Sequence, residues 1–239
     1  MPLTAQNYEN FFLGAAAEYR IASEIYFHGF EATKYTPDFG IDLGVTNAAQ
    51  VHLKGASARS HALQIKAAFV LNGSARFYMG DADITHIIGR DDMSCVFCCV
   101  TPHIQAHPKS FDRGDFERWR SSLDAEMDQH AFDQDFAALR KQHGCLSAID
   151  FRGFDFQYFW FNARQLKRSV DDGYWAPAAW AGEDVQHLQV ALDGDAIEIA
   201  SPRGDRLRLV PEVRNLYFLL KDNASSFKLA AGAFALDHY

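Results

Sequence analysis

Three long apolar segments constrain the fold of this chain more than any other feature of its sequence. Residues 62–70 (ALQIKAAFV), 95–101 (CVFCCVT) and 154–161 (FDFQYFWF) are largely hydrophobic. Apolar runs of this length are typical of strands that are buried in the middle of a sheet. The sequence therefore predicts a central β-sheet, and a hydrophobic content of 48% over 239 residues is enough to build a sizeable core around it.

The segments between these strands alternate between helical and extended patterns. Residues 6–28 have helical apolar spacing and stop at Gly29, a residue that commonly follows a helix. Residues 41–46 and 76–79 read as strands, and 81–88 as a helix that begins at Asp81. We expect residues 47–60 to form a hairpin connection with a short strand near 51–53. A short helix follows Asn162, and residues 215–220 fit a strand or a short helix.

This order predicts an α/β protein whose mixed central sheet is flanked by helices and followed by a β-rich C-terminal extension. Residues 103–145 are polar and acidic with helical spacing, which predicts one or two surface helices covering the sheet. Alternating segments dominate from residue 185 onward. We therefore divide the chain into a domain over 1–180, with a helical insertion near 105–145, and a β-rich extension over 181–239.

Several classes of protein conflict with this composition. No apolar run approaches the length of a membrane span, and the first residues lack the pattern of a signal peptide, so we expect a cytoplasmic protein. Three of the four cysteines (Cys95, Cys98 and Cys99) lie inside one apolar strand, and the fourth is Cys145. A Cys-x-x-Cys zinc site needs a second pair or nearby His ligands, and none follows at a suitable spacing, so these cysteines fit core residues better than a zinc site. His103 and His107 lie between two prolines, which makes a helical metal site at their spacing improbable.

The net charge of −8 argues against a generic DNA-coating protein, because such proteins carry a basic surface. The acidic excess is uneven, however. Residues 71–150 carry 8 basic and 13 acidic side chains, and residues 151–200 carry 4 and 8. Residues 1–70 are nearly neutral, with 5 basic and 6 acidic side chains.

Polar side chains in this neutral segment occupy positions where apolar residues are expected. Gln64 and Lys66 are two residues apart in the most apolar strand, so both project from the same face. A lysine in such a strand is costly unless it has a partner or a task. Asp42, which we expect inside the strand over 41–45, is the predicted partner. Glu18 lies in the first helix beside three alanines that allow close approach to a sheet.

Together, GAAAE ending at Glu18, PDFGID ending at Asp42 and LQIK ending at Lys66 resemble the PD-(D/E)XK nuclease superfamily, which has the restriction-endonuclease-like fold. The pattern in that superfamily is a helical Glu, an Asp at the start of a strand, and an acidic-x-Lys pair on the next strand. The resemblance covers roughly residues 10–101, and residues 154–170 fit a later core element. Gln64 stands at the usual acidic position, as in some subgroups of the superfamily, and removes one negative charge. Asp38 is the nominal Asp of the PD pair, but the spacing to Gln64 favours Asp42.

The resemblance implies a Mg²⁺-dependent endonuclease that hydrolyses DNA phosphodiester bonds, with Mn²⁺ as a substitute metal. Asp42 would bind the metal, with Glu18 as a second or more distant carboxylate. Gln64 and the main-chain carbonyl of Ile65 would complete the protein ligands, since Mg²⁺ needs few carboxylates and retains several waters. Lys66 would hold the attacking water and offset negative charge in the transition state. Defence, restriction and repair are the expected settings.

Less specific interpretations of these residues remain open. Glu18 and Lys66 fit an ordinary ion pair, and Asp42 fits a turn residue at the end of a strand. The aromatic segment over 154–161 suits base stacking or, more simply, a sheet core. Arg164, Lys167 and Arg168 lie on the short helix after it, where they either contact phosphates or form a solvated face.

The alternative function is a catalytically inactive module that keeps the nuclease fold for binding or assembly. Gln64 and the net acidity motivate it. In either case the C-terminal region is a candidate surface for a homodimer or a protein partner, and no membrane association is expected.

Overall fold

The structure is a computed structural model that describes residues 8–35, 40–70, 73–106, 149–180 and 183–221. The predicted helical insertion near 105–145 lies almost entirely outside this range, and so do Asp38, His107 and Cys145. In chain order the elements are α1 (Tyr8–Phe27), β1 (Glu31–Lys34), β2 (Leu43–Thr46), α2 (Ala48–Lys54), β3 (Ser60–Phe69), β4 (Ser74–Met79), α3 (Asp81–Ile88), β5 (Met93–Ala106), β6 (Ile149–Asn162), α4 (Ala163–Asp171), β7 (Trp175–Trp180), β8 (Glu183–Asp193), β9 (Ala196–Ala200), β10 (Arg206–Arg208), the 3₁₀ helix η1 (Pro211–Arg214) and α5 (Leu216–Lys221).

The described strands form a mixed sheet and an antiparallel sheet. The mixed sheet has the order β1-β2-β3-β5-β6, in which only β3 and β5 run parallel. In the second sheet, β8 pairs with β4 along one edge and with β7 and β9 along the other, and β10 follows β9. The predicted mixed central sheet and the β-rich C-terminal region are therefore confirmed.

The two faces of the mixed sheet have different neighbours. Trp160 donates its indole N–H to the carbonyl of Asn215, just before α5, and the pKa of Tyr158 responds to the charge of Glu24 on α1. We call the face that carries Tyr158 and Trp160 the helical face. The alternate residues Phe159 and Phe161 point the other way, toward the second sheet, and we call that side the sandwich face.

Aromatic side chains fill the space between the two sheets. The ring of Phe97 on β5 lies 4.9 Å from that of Phe159 on β6 and 5.2 Å from that of Phe77 on β4, measured between centroids. Trp175 on β7 is 6.2 Å from Phe97. Because Phe159 and Phe161 are fully buried, the aromatic strand β6 belongs to the core, and these two rings are inaccessible to nucleic-acid bases.

The second sheet includes two strands from the predicted N-terminal domain, β4 and β7. β4 belongs to residues 1–180, yet it pairs with β8 from the predicted extension over six residue pairs. The C-terminal strands thus share a sheet with an element that lies next to β3 in the chain. Loss of the C-terminal region would expose one edge of β4 and the apolar face of the mixed sheet.

Local sequence signals explain the ends of two predicted helices. α1 ends before Gly29, whose φ of 79° is a left-handed conformation that favours glycine. α4 begins with a capping box: the side chain of Asn162 accepts from the Gln165 N–H at 2.9 Å, and the side chain of Gln165 accepts from the Asn162 N–H at 2.9 Å. Both helices were predicted, and the structure confirms them.

The predicted hairpin over residues 47–60 is wrong, because a helix occupies part of this segment. α2 buries none of its residues and therefore shows no apolar periodicity. Its first N–H groups are satisfied by a distant strand: the carboxylate of Glu31 accepts from the N–H groups of Ala48 and Ala49, each at 2.8 Å. The bond from Ala49 is the main cause that lowers the pKa of Glu31.

The three described cysteines are core residues of β5. Cys95, Cys98 and Cys99 are buried and carry no disulfide. Burial raises the pKa of all three thiols, that of Cys99 to about 12, so they are neutral near pH 7. No helix in the described part of the chain is long and apolar enough to cross a membrane.

A buried histidine links β3 to β5 on the helical face. The Nε2 atom of His61 lies 2.9 Å from the hydroxyl of Ser94, and both residues are buried. Burial lowers the pKa of His61 from 6.5 to about 4, while the charge of Asp92 opposes this shift and that of Arg90 adds to it. Folding therefore requires the neutral imidazole.

This burial predicts a pH-dependent stability. Unfolded His61 binds a proton near pH 6.5 and folded His61 near pH 4, so stability is complete above pH 6.5 and declines as the pH falls toward 4. From pH 7 to pH 5 we expect His61 to account for a loss of about 2 kcal/mol in the free energy of unfolding. Urea titrations of wild type and H61Q at both pH values measure it. His187 also titrates with a lowered pKa, but it is common to both proteins, so equal losses would contradict the prediction.

Candidate active site

Asp42 lies where the pairing between β2 and β3 ends. The ladder begins at Leu43, opposite Leu63, so Asp42 precedes the strand instead of lying within it as predicted. The N–H of Asp42 donates to the Leu63 carbonyl at 2.9 Å, and its Oδ2 accepts from the N–H of Ile65 at 2.5 Å. The carboxylate thus takes the place of the strand partner that Ile65 lacks on this edge.

The carbonyl of Ile65 faces the same edge of β3. The N–H and C=O of one residue in a strand point in the same direction. Since the Ile65 N–H reaches Asp42, its carbonyl also points toward the side where β2 has ended. Asp42 and the main-chain oxygen of Ile65, both predicted ligands, are therefore neighbours.

Gln64 is buried without a hydrogen-bond partner for its side-chain oxygen. The residue is 5% exposed, and its Oε1 has no partner among the described residues. Gln64 pairs with Cys95 in the parallel ladder, and Cys95 lies two residues before Phe97, whose ring occupies the sandwich face. Gln64 therefore projects from the same face. An unsatisfied buried amide oxygen costs about 1–3 kcal/mol. Such a cost is typical of a site that is completed by a ligand.

Lys66 projects from the same face and forms an ion pair with an acidic residue that we did not predict. Its Nζ lies 3.2 Å from Oδ2 of Asp83, with the two side chains 26% and 42% exposed. The sequence predicted Asp42 for this role. Asp83 occupies the first turn of α3, where a carboxylate also interacts favourably with the helix dipole.

The buried thiol of Cys95 experiences the charges of Asp42, Lys66 and Asp83. Burial is the main cause that raises the pKa of this thiol, the charge of Lys66 lowers it, and the charges of Asp42 and Asp83 raise it further. Cys95 is the ladder partner of Gln64, so these three charges act on the strand position beside Gln64.

Glu18 forms an ion pair with Lys34 and contacts none of Asp42, Gln64, Lys66 and Asp83 in the described hydrogen bonds and ion pairs. Its Oε2 lies 2.5 Å from Nζ of Lys34 on β1, and this contact is the main cause that raises the pKa of Lys34. The charge of Asp42 also raises that pKa, so Lys34 lies within electrostatic range of both carboxylates. The open alternative of a Glu18–Lys66 pair is not what the structure shows, because each residue contacts a different partner.

The donors around Gln64 suit a hard cation that retains part of its water shell. Asp42, Oε1 of Gln64 and the carbonyl of Ile65 are oxygen donors, as Mg²⁺ and Mn²⁺ prefer. The buried Oε1 without a partner is the observation that fits such an ion. Among the described residues, no group of three or more His, Cys, Asp or Glu side chains is arranged to hold a metal. Any ion here would therefore depend on the amide, the main chain and water.

The predicted phosphate-binding residues lie on the exposed side of α4. Lys167 pairs with Asp171 at 2.6 Å and Arg168 with Asp172 at 3.2 Å, and Arg164 is exposed on the same helix. Pairs of this kind between exposed residues stabilise a helix by a few tenths of a kcal/mol. The arrangement agrees with a solvated face, and contact with phosphates would require exchange of these partners.

Comparison with known proteins gives this site no relative. Neither a protein-family model, nor a curated protein, nor a solved structure matches the chain.

Proposed function

We propose that the chain is a metal-dependent DNA endonuclease with a restriction-endonuclease-like core. The observation that carries the proposal is the buried Oε1 of Gln64, which lacks a partner among the described residues and projects from the same face of β3 as Lys66. The order of the three residues, with Asp42 just before β2 and Gln64 and Lys66 on the adjacent strand β3, supports the resemblance to the PD-(D/E)XK superfamily. The mixed sheet behind them provides a rigid support for such a site.

In this proposal Asp42, Gln64 and the Ile65 carbonyl hold Mg²⁺ or Mn²⁺. The bound ion would supply Lewis-acid stabilisation of the phosphate and a lowered pKa for a bound water. Asp42 keeps its orientation through the Ile65 N–H, which limits the rotation of its carboxylate. Lys66 holds the attacking water and offsets the negative charge that develops on the phosphate.

Glu18 acts through Lys34 as the more distant carboxylate. The ion pair fixes Lys34 near Asp42, so a second cation lies beside the site. Lys34 is 43% exposed and is available to a phosphate that approaches Asp42. Two lysines and a divalent ion would together offset the negative charge of a nucleic-acid phosphate.

The charge distribution sets the expected strength of DNA binding. The predicted DNA contacts on α4 are held by Asp171 and Asp172, and the chain carries a net charge of −8. DNA binding is therefore weak and salt-sensitive, and it depends on the metal or on a partner, such as a second copy, held through the C-terminal region.

A second candidate is a non-catalytic module that keeps this fold for binding or assembly. The neutral Gln64 and the existing pair between Lys66 and Asp83 favour it. In such a module the Lys66–Asp83 pair is purely structural, and divalent ions do not change the stability of the protein.

Cleavage assays test the proposed function. With Mg²⁺ or Mn²⁺ we expect cleavage of duplex, single-stranded or branched DNA that K66A and D42N each reduce by at least about a hundredfold. K54A and D91N are matched controls, because each removes the same charge from an exposed position. Cleavage that survives K66A or D42N would refute the site, and wild-type protein inactive on all three substrates would favour the non-catalytic module.

Gln64 provides a separate test in stability. Q64M removes the unsatisfied amide at similar volume, so without metal we expect the free energy of unfolding to rise by about 1–2 kcal/mol. Q165M is the control: it removes a buried amide that the capping box satisfies and should destabilise by about 1 kcal/mol.

Thermal melts with millimolar Mn²⁺ complete this test. Wild type should gain stability from the ion, and Q64M should lose most of that gain. Mn²⁺ that stabilises Q64M as strongly as wild type would show that Gln64 is not a ligand.

A further inference from the structure

Asp83 has a position that the resemblance does not account for. It belongs to α3, outside the three matched segments, yet it provides the carboxylate nearest to Lys66 Nζ. The site meanwhile lacks the acidic side chain that the superfamily places at position 64. One negative charge is therefore missing from β3, and another is supplied from α3 beside the same lysine.

We propose that Asp83 is the second carboxylate of the metal site and replaces the charge that is absent at Gln64. This inference rests on the proposed function. Oδ2 of Asp83 lies 3.2 Å from Nζ of Lys66, and Lys66 projects from the same face of β3 as Gln64. The second, independent observation is Oε1 of Gln64, which is nine-tenths buried without a partner and projects from the same face as Lys66.

Charge balance explains why a second carboxylate is needed. The Asp42 carboxylate already accepts the Ile65 N–H, and the remaining proposed donors, Gln64 and the Ile65 carbonyl, are neutral. Such a set binds a divalent cation weakly, because affinity follows the number of charged ligands. Asp83 brings the set to two carboxylates, the number that Mg²⁺ sites in proteins commonly use.

The pair with Lys66 holds Asp83 in place without the ion. Asp83 is 42% exposed, so its side chain can turn from Lys66 toward the cation with little steric resistance. Lys66 would then release Asp83 and face the phosphate and its attacking water. Metal binding would thus release Lys66 for its contact with the phosphate. The Lys66–Asp83 ion pair is the form of the site without metal.

Isothermal titration calorimetry with Mn²⁺ alone tests this inference without any activity measurement. We expect D83N to weaken Mn²⁺ binding by at least about tenfold compared with wild type. The control is D81N, on the first turn of the same helix, which removes the same charge from an exposed position and should leave the affinity within about twofold. Equal losses in D83N and D81N would show a general effect of charge and overturn the proposal.

A rescue variant separates a metal ligand from a residue that merely supports the fold. Because Q64E returns the carboxylate to β3, the double variant Q64E/D83N should recover most of the lost Mn²⁺ affinity. Failure of a folded double variant to recover it would contradict the exchange of charge between the two positions. If Q64E/D83N does not fold, D83E decides: affinity as poor as that of D83N would overturn the role of the carboxylate.

The outcomes also separate this inference from the proposed function. Mn²⁺ binding that D42N abolishes and D83N leaves unchanged would reject Asp83 and keep the nuclease site. Wild-type protein that binds no Mn²⁺ at millimolar concentration would reject both.

Discussion

The hydrogen bond from the Ile65 N–H to the Asp42 carboxylate is the interaction on which the arrangement of the site depends. β2 pairs with β3 only as far as Leu63. The next N–H of β3 that points toward the β2 side is that of Ile65, and it would otherwise lack a partner. A buried N–H without a partner is costly. One aspartate just before β2 both satisfies the strand and places a carboxylate at this edge, where the proposed function gives it a second role as a metal ligand.

The second sheet provides the apolar surroundings of Gln64 on β3. Phe97 packs against rings from β4, β6 and β7, which closes the sandwich face and leaves Gln64 buried next to Lys66. A polar group is poorly hydrated there, and electrostatic interactions are stronger than in water. The β-rich C-terminal region is in this sense part of the site's support, because β8 holds β4 in the sandwich.

The sequence predicted the elements whose signals are local and missed those that depend on distant contacts. α1, β3 and the capped helix α4 follow from apolar spacing and from Gly29 and Asn162. α2 was missed because Glu31, seventeen residues from Ala48, supplies its cap while the helix buries nothing. The polar residues Gln64 and Lys66 stood out because they interrupt an apolar strand. The role of Asp83 could not be predicted, because an aspartate in the first turn of a helix is common in any sequence.

Anomalous diffraction from a crystal soaked in Mn²⁺ would show whether a divalent ion binds beside Asp42 and Gln64 on β3, as we propose. We expect an anomalous peak within coordination distance of Asp42 and of Oε1 of Gln64, with Asp83 turned from Lys66 toward the ion. A well-ordered crystal with the Lys66–Asp83 pair intact and no peak at Gln64 would contradict it.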